Sequence, residues 1–300
     1  MGVSTRPTQL RRQVEVTLLS GLMALFLVGA APKDQPDTVQ PAPSDFSSTL
    51  PAATTFALVQ DGDEAIELSA RFTQNSKNYS DAVDWTIKSS SGEKLFQGSA
   101  SVISMKLHPG AYEVIGHYGN IDIDEAVTLP PQTKLAVNFV LNAGGLRVLP
   151  RLPENFNSMT SSITKVYALG GAKAGRLVSS DAKPGEILKL SAGSYRIETR
   201  YDDSNVSAVT DIDVKPGLLR SLDIDHHAGL AKLSLNQPQD AQWLVMENGG
   251  PALALPSGTE VTAVLKPGNY VAEARTGGKV LQQAFIVTEG GVSEVVLTAP

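Results

Sequence analysis

Few residues in this chain could do chemistry, and the four histidines are the first to consider. His226 and His227 sit in the run "DIDHHAG" (223–229), beside Asp223 and Asp225. Imidazole nitrogens and carboxylate oxygens together make a donor set suited to zinc or a similar divalent ion. Neighbours on a strand point to opposite faces, however, so the two imidazoles cannot readily hold one ion. His108 precedes Pro109 in a turn, and His117 lies on the polar side of the strand that follows. Neither is matched by a nucleophile elbow, because G-x-S-x-G is absent. The Gly-rich "LGGAKAG" (169–175) lacks the Gly-Lys-Ser/Thr ending of a phosphate loop. There is no cysteine, which excludes disulfides, thiol nucleophiles and Cys-based metal sites. The expectation is no catalytic residue, no metal and no cofactor.

The elements around these residues repeat. "MKLHPGAYEVIGHYGN" (105–120), "LKLSAGSYRIETRYDD" (188–203) and "VLKPGNYVAEARTGG" (264–278) align on Gly110, Gly193 and Gly268, which are 83 and 75 residues apart. Tyr112, Tyr195 and Tyr270 follow two positions later, and Leu107, Leu190 and Leu265 precede by three. Trp85 and Trp243 each stand 25 residues before their glycine, while in the middle copy Tyr167 is the nearest aromatic. After each glycine, apolar and polar residues alternate with period two, the pattern of an antiparallel strand covering a core. Pro-Pro, Pro-Gly or Gly-Gly turns then lead to another strand. Such spacing over 75–90 residues reads as a small sandwich. Pro109 and Pro267 preset φ, and the glycine after each is expected to supply φ > 0 in a type II turn. Each tyrosine then re-enters the sheet as a corner, and Trp85 and Trp243 are expected in cores rather than as sugar platforms.

Composition sets the wider frame. The chain has 300 residues, 42% apolar and 19% charged, with 26 Gly and 18 Pro. Its net charge is −6; residues 1–30 contribute +2, so residues 31–300 carry −8. Nucleic acid is not an expected partner, since phosphate neutralisation needs clustered Lys and Arg. Arg11-Arg12 precede the apolar run 16–31, with small Val28 and Ala30 at a cleavage position. This reads as an export signal, either cleaved or retained as a membrane anchor. Residues 31–53 hold five prolines with Ser, Asp and Gln, the composition of a disordered linker.

The unit of a Trp, then PGxY 25 residues on, then a strand, a turn and a final apolar strand resembles bacterial immunoglobulin-like and carboxypeptidase-regulatory-like (prealbumin-type) repeats of envelope proteins. The resemblance covers residues 54–300, and the middle copy departs from it at Ala192 and in lacking the Trp. It implies a non-catalytic module for spacing, adhesion or assembly. The expected architecture is all-β. A signal or anchor (1–30) and linker (31–53) precede three tandem small antiparallel Ig-like sandwiches at 54–144, 145–228 and 229–300. The expected role is a periplasmic or outer-envelope scaffold binding another protein through sheet edges or interdomain surfaces. The alternative is binding of peptidoglycan or another envelope glycan, for which Tyr79, Tyr118 and Tyr201 are the residues to watch. Membrane contact is expected only through residues 16–31.

Overall fold

The computed structural model describes residues 50–156, 161–171 and 174–298. The expected signal or anchor (1–30) and residues 31–49 of the expected linker lie outside the described residues. Within them the fold is all-β, interrupted by a single 3-10 turn at Glu154–Phe156.

The first sandwich contains β1 (Leu50–Leu58), β2 (Ala65–Arg71), β3 (Val83–Ser89), β4 (Lys94–Ala100), β5 (Val102–Lys106), β6 (Gly110–Tyr118), β7 (Ile121–Leu129) and β8 (Thr133–Val140). Its sheets run β1-β8-β2-β5 and β4-β3-β6-β7. The second has β9 (Ala143–Arg151), β10 (Ser162–Ala168), β11 (Leu177–Ser179), β12 (Ile187–Ser191), β13 (Gly193–Tyr201), β14 (Ser207–Val214) and β15 (Leu219–Asp225), ordered β12-β9-β15 and β11-β10-β13-β14. The third has β16 (Gly229–Leu235), β17 (Gln242–Glu247), β18 (Ala252–Ala254), β19 (Glu260–Leu265), β20 (Gly268–Thr276), β21 (Lys279–Val287) and β22 (Val292–Leu297), ordered β19-β16-β22 and β18-β17-β20-β21.

One plan therefore occurs three times. The alternating apolar residues of both sheets meet in one core per sandwich. In β6, for example, Tyr112, Val114, Gly116 and Tyr118 face inward, and burying such a face is the main favourable term in folding. β2, β9 and β16 each lie mid-sheet, antiparallel to the strand before the corner and parallel to the unit's last strand. These parallel pairs depart from the purely antiparallel expectation. They arise because each chain segment leaves its sandwich beside the strand by which it entered.

Two glycines make this entry possible. A Cβ on Gly144 would lie 2.3 Å from the Lys215 carbonyl oxygen, and one on Gly229 2.2 Å from that of Thr288. The turn before the last strand presses on the opening strand there, and only glycine leaves room. The first sandwich solves the same crossing differently. Glu64 holds that register position, and its carboxylate accepts N–H bonds from Gly62 (2.8 Å) and Gln132 (2.9 Å). Bonding from the Gln132 amide, with smaller contributions from other backbone N–H groups, holds the Glu64 carboxyl below its usual pKa.

The first sandwich also has a strand the sequence reading missed. β1 begins at Leu50, inside the stretch expected as linker. Its register runs from Leu50 opposite Val140 to Leu58 opposite Thr133, with a shift between Pro51 and Ala53. Proline lacks an N–H and sits at such irregularities on edges. From Ala53 to Leu58 every side chain is exposed, so this part of the strand is held chiefly by its main-chain ladder to β8.

Candidate functional site

The corner residues occupy equivalent places in all three units. Leu190 and Leu265 are buried, and Leu107 is partly buried against the first core. Each tyrosine donates its hydroxyl to the carbonyl four residues upstream: Tyr112 to His108 (2.5 Å), Tyr195 to Ser191 (2.7 Å) and Tyr270 to Lys266 (2.8 Å). The rings are buried in the cores, which raises the phenol pKa, for Tyr195 to about 12. The type II turn expected here is corrected by the structure. Gly110 and Gly268 are not among the glycines of positive φ, and Gly193 has φ 154°. These glycines open β6, β13 and β20, and the bare faces of Gly110 and Gly268 lie under the tyrosine rings; a Cβ on Gly268 would meet Tyr270 Cε2 at 3.4 Å. Ala192 replaces the proline of the other copies for a visible reason: its N–H donates to Asn142 O at 2.7 Å, which proline cannot do.

The corners do more than close their own sandwich. Asn120, in the turn between β6 and β7, accepts a bond from Ser191 N (3.2 Å) and also bonds the Tyr195 hydroxyl. Asn205, between β13 and β14, accepts from Lys266 N (2.9 Å) and donates through Nδ2 to the Tyr270 hydroxyl (2.9 Å). A carboxamide from one unit thus binds the corner of the next, twice, through the same two groups. Sequence reasoning missed both asparagines. The signal was present, since Asn closes "YGN" (118–120) and "YDDSN" (201–205) after matching strands. At the first joint, Lys189 Nζ also lies 4.3 Å from the Tyr118 ring centroid. At the second, Ser204 donates to Val264 O (2.6 Å) above a small apolar cluster that includes Phe156, Tyr201, Leu230 and Val264.

Trp85 and Trp243 are each 1% exposed. Their indole N–H groups donate to carbonyls 15 residues on, Ala100 O (3.1 Å) and Gly258 O (2.9 Å). In the middle sandwich the matching place is held not by Tyr167 but by Thr164. Thr164 pairs with Thr199 as Trp85 pairs with Gly116 and Trp243 with Ala274. Tyr167 is one of the outward-parity residues of β10 and interacts with Glu198. The space carries polar groups: Thr199 Oγ1 bonds His226 Nε2 (2.8 Å), whose Nδ1 bonds Ile224 O (3.1 Å). Thr164 Oγ1 is buried without a hydrogen-bond partner.

The histidine pair lies in the connection between β15 and β16, and its two rings turn to opposite sides. His226 turns inward, 5% exposed, and burial lowers its pKa. His227 turns outward to Glu289 (2.5 Å), which raises its pKa, and Asp223 pairs with Arg151 (2.5 Å). No group of three or more potential metal ligands occurs among the described residues. His117 bonds Asp122 at the surface (2.8 Å), and His108 lends only its carbonyl to Tyr112. Of the three tyrosines proposed for glycan contact, Tyr118 and Tyr201 are 4% exposed, each buried by inward-facing strand parity. Tyr79 is 44% exposed, with the Arg71 guanidinium 5.2 Å from its ring centroid.

What remains outward is sheet edge. The last strand of the first sandwich, β8, is covered by β1, whereas the equivalent β15 and β22 end their sheets among the described residues. Beside β15 lies an open cleft of about 750 Å³, bounded by Leu169, Asp211, Ile212, Lys215, Leu218 and Arg220. Leu218 is 59% and Leu219 49% exposed. Along β22, Val292 and Val296 point outward, and Glu294 reaches Lys232 (3.8 Å).

Residues 236–299, from just after β16 through β22, match the family described as the Rhizobiales growth-associated tandem repeat domain. No curated protein matches the chain. Among solved structures, the TIE protein of Bacillus anthracis aligns with 78% of this chain at 12% identity and a TM-score of 0.25, and the chain spans 50% of that protein. A minor pilin of Streptococcus agalactiae aligns with 52% of this chain and 97% of its own, at 11% identity and a TM-score of 0.27. The major pilin subunit of Bacillus cereus aligns with 79% and 99%, at 11% identity and a TM-score of 0.21.

Proposed function

We propose that this chain is a non-catalytic, exported scaffold of the cell envelope that binds another protein through its sheet edges. One observation supports the reading above others. The groups with chemical potential are engaged within the fold, at the corners, the joints and the cores, while main-chain edges and apolar side chains point outward at β15 and β22. An open edge is a template for strand addition. The −8 charge of residues 31–300 disfavours nucleic acid and anionic polysaccharide as partners. Export rests on the basic and apolar N-terminus, with membrane contact confined to residues 16–31 where that run is retained.

The test is in-cell crosslinking of the tagged full-length chain, followed by mass spectrometry of the purified envelope fraction. A protein partner in stoichiometric yield is the expected result. Recovery of glycan fragments alone overturns the reading and favours envelope polysaccharide. Exposed Tyr79 beside Arg71 is then the residue to replace first.

A further inference from the structure

We infer that the β15 edge and its cleft form a strand-accepting site, and that the occupant is β1 of a second copy of this chain. The inference rests on the scaffold reading and names its partner.

The chain already shows the pairing once, where β1 covers β8. Register carries that pairing to the second sandwich. Leu107 bonds Glu64 O and Leu190 pairs with Gly144, so Glu64 and Gly144 are equivalent. Ala136 on β8, opposite Glu67, then corresponds to Ser221 on β15, opposite Arg147. Since Thr55 lies opposite Ala136, a β1 laid on β15 in the same way sets Thr55 opposite Ser221. It also sets Phe56 opposite Arg220 and Leu58 opposite Leu218, and both of those residues line the cleft.

The fit improves on what β1 has in its own sandwich. There Phe56 is 64% exposed and Leu58 92% exposed, so two large apolar side chains bury little. On β15 they enter a cleft whose floor includes Ile212 and whose mouth carries the exposed Leu218. Moving apolar surface from water into such a cleft is the driving force. The segment 50–58 bears no charge, and the cleft walls balance Asp211 and Asp213 against Lys215 and Arg220. The ion pair of Asp223 with Arg151 runs inward to β9 and leaves the edge main chain free. Only six residues, 59–64, join β1 to β2, which ties β1 to the first sandwich of its own chain. A β1 on β15 therefore comes from another molecule. Because donor and acceptor are different surfaces, the contact repeats head to tail rather than closing as a two-fold dimer.

The absence of cysteine makes the test clean. In the full chain, Thr55→Cys with Ser221→Cys should give, on mild oxidation, a ladder of disulfide-linked dimers and longer chains. Thr55→Cys with Ala136→Cys is the control that closes within one molecule. By light scattering, Phe56→Asp should weaken self-association at least tenfold without changing the thermal transition. A monomeric Thr55→Cys/Ser221→Cys protein alongside a closing control overturns the proposal. Linkage of Thr55→Cys to Glu294→Cys instead moves the site to β22 and overturns it as well. Capture of a different protein at Ser221 in the envelope overturns this occupant and leaves the scaffold reading standing. No protein captured at any position overturns both.

Discussion

The middle sandwich and its two neighbours share a strand plan yet fill the same space differently. Where the outer units place a tryptophan whose N–H is bonded to a carbonyl, the middle unit places Thr164 and Thr199 with His226 beside them. A buried Trp brings a large apolar area and needs one partner. The threonines and histidine bring less area and more polar groups to satisfy, and Thr164 Oγ1 is left unpaired. The difference teaches that this corner-and-strand frame does not depend on the Trp. The Tyr corner and the parallel first–last pairing persist without it, at a cost in core quality.

The largest test of that contrast is truncation. Trp243→Ala should destabilise the third sandwich by about 3–5 kcal/mol in urea unfolding, with Trp85→Ala similar in the first. Thr164→Val should instead be neutral or stabilise the middle unit by about 1 kcal/mol, because it removes an unpaired buried hydroxyl. A Trp243→Ala protein that loses less than about 1 kcal/mol would break the comparison.

A second test separates glycines that look alike in sequence. Gly229→Ala drives a Cβ to 2.2 Å from a carbonyl oxygen and should cost roughly 1–3 kcal/mol. Gly268→Ala meets only ordinary contacts and should cost less than about 1 kcal/mol. Equal losses from the two, read by thermal melting of the third unit, would contradict the crossing described at Gly229.

Asn205→Ala should follow in size, at about 1–2 kcal/mol, because it leaves Lys266 N–H and the Tyr270 hydroxyl short of a partner. Calorimetry should show the second and third units melting further apart. A single unchanged transition would mean the carboxamide does not couple them.

The smallest effect is the pH dependence of the second joint. Burial lowers the His226 pKa, so the unfolded chain takes up that proton first. Its contribution is full above the unfolded value of about 6.5 and declines as pH falls below it. His227 works the other way: Glu289 raises its pKa, giving stability that is present below the unfolded value and lost as pH rises through the folded one. His227→Gln should therefore expose a steeper loss of stability below about pH 6.5 than the native chain shows. Glu64, with its lowered pKa, acts lower still, losing its contribution as pH falls below the usual carboxylate value of about 4.3. A His227→Gln profile that stays flat from pH 7 to 5 would remove His226 from the account.

Much of the fold was legible because its markers recur at fixed offsets. Leu, Gly and Tyr at the corners mark the strands of three sandwiches in the sequence itself. The glycine conformation was not legible, because PGxY reads locally as a turn while the backbone has already entered an extended strand at Gly110 and Gly268. Thr164 escaped notice because a search for an aromatic stops at Tyr167, and only register across β13 reveals which residue takes the Trp place. β1 escaped because Pro51 and a Ser/Thr-rich approach read as linker, and the side chains of 53–58 contribute no buried face to betray it. Asn120 and Asn205 were visible letters, but their meaning lies in the next unit.

The parallel pairing of β2 with β8, β9 with β15 and β16 with β22 has a mechanical consequence. Tension applied to the two ends of a unit pulls those neighbours in opposite directions along their length. Seven register pairs in β2–β8 and in β9–β15, and six in β16–β22, are then strained together rather than one after another. β1 is mounted the other way, antiparallel to β8 with Leu50 beside Val140, so the same pull peels it off pair by pair. Stretching the chain would strip β1 first, at low force, while the three sandwiches still resist in shear.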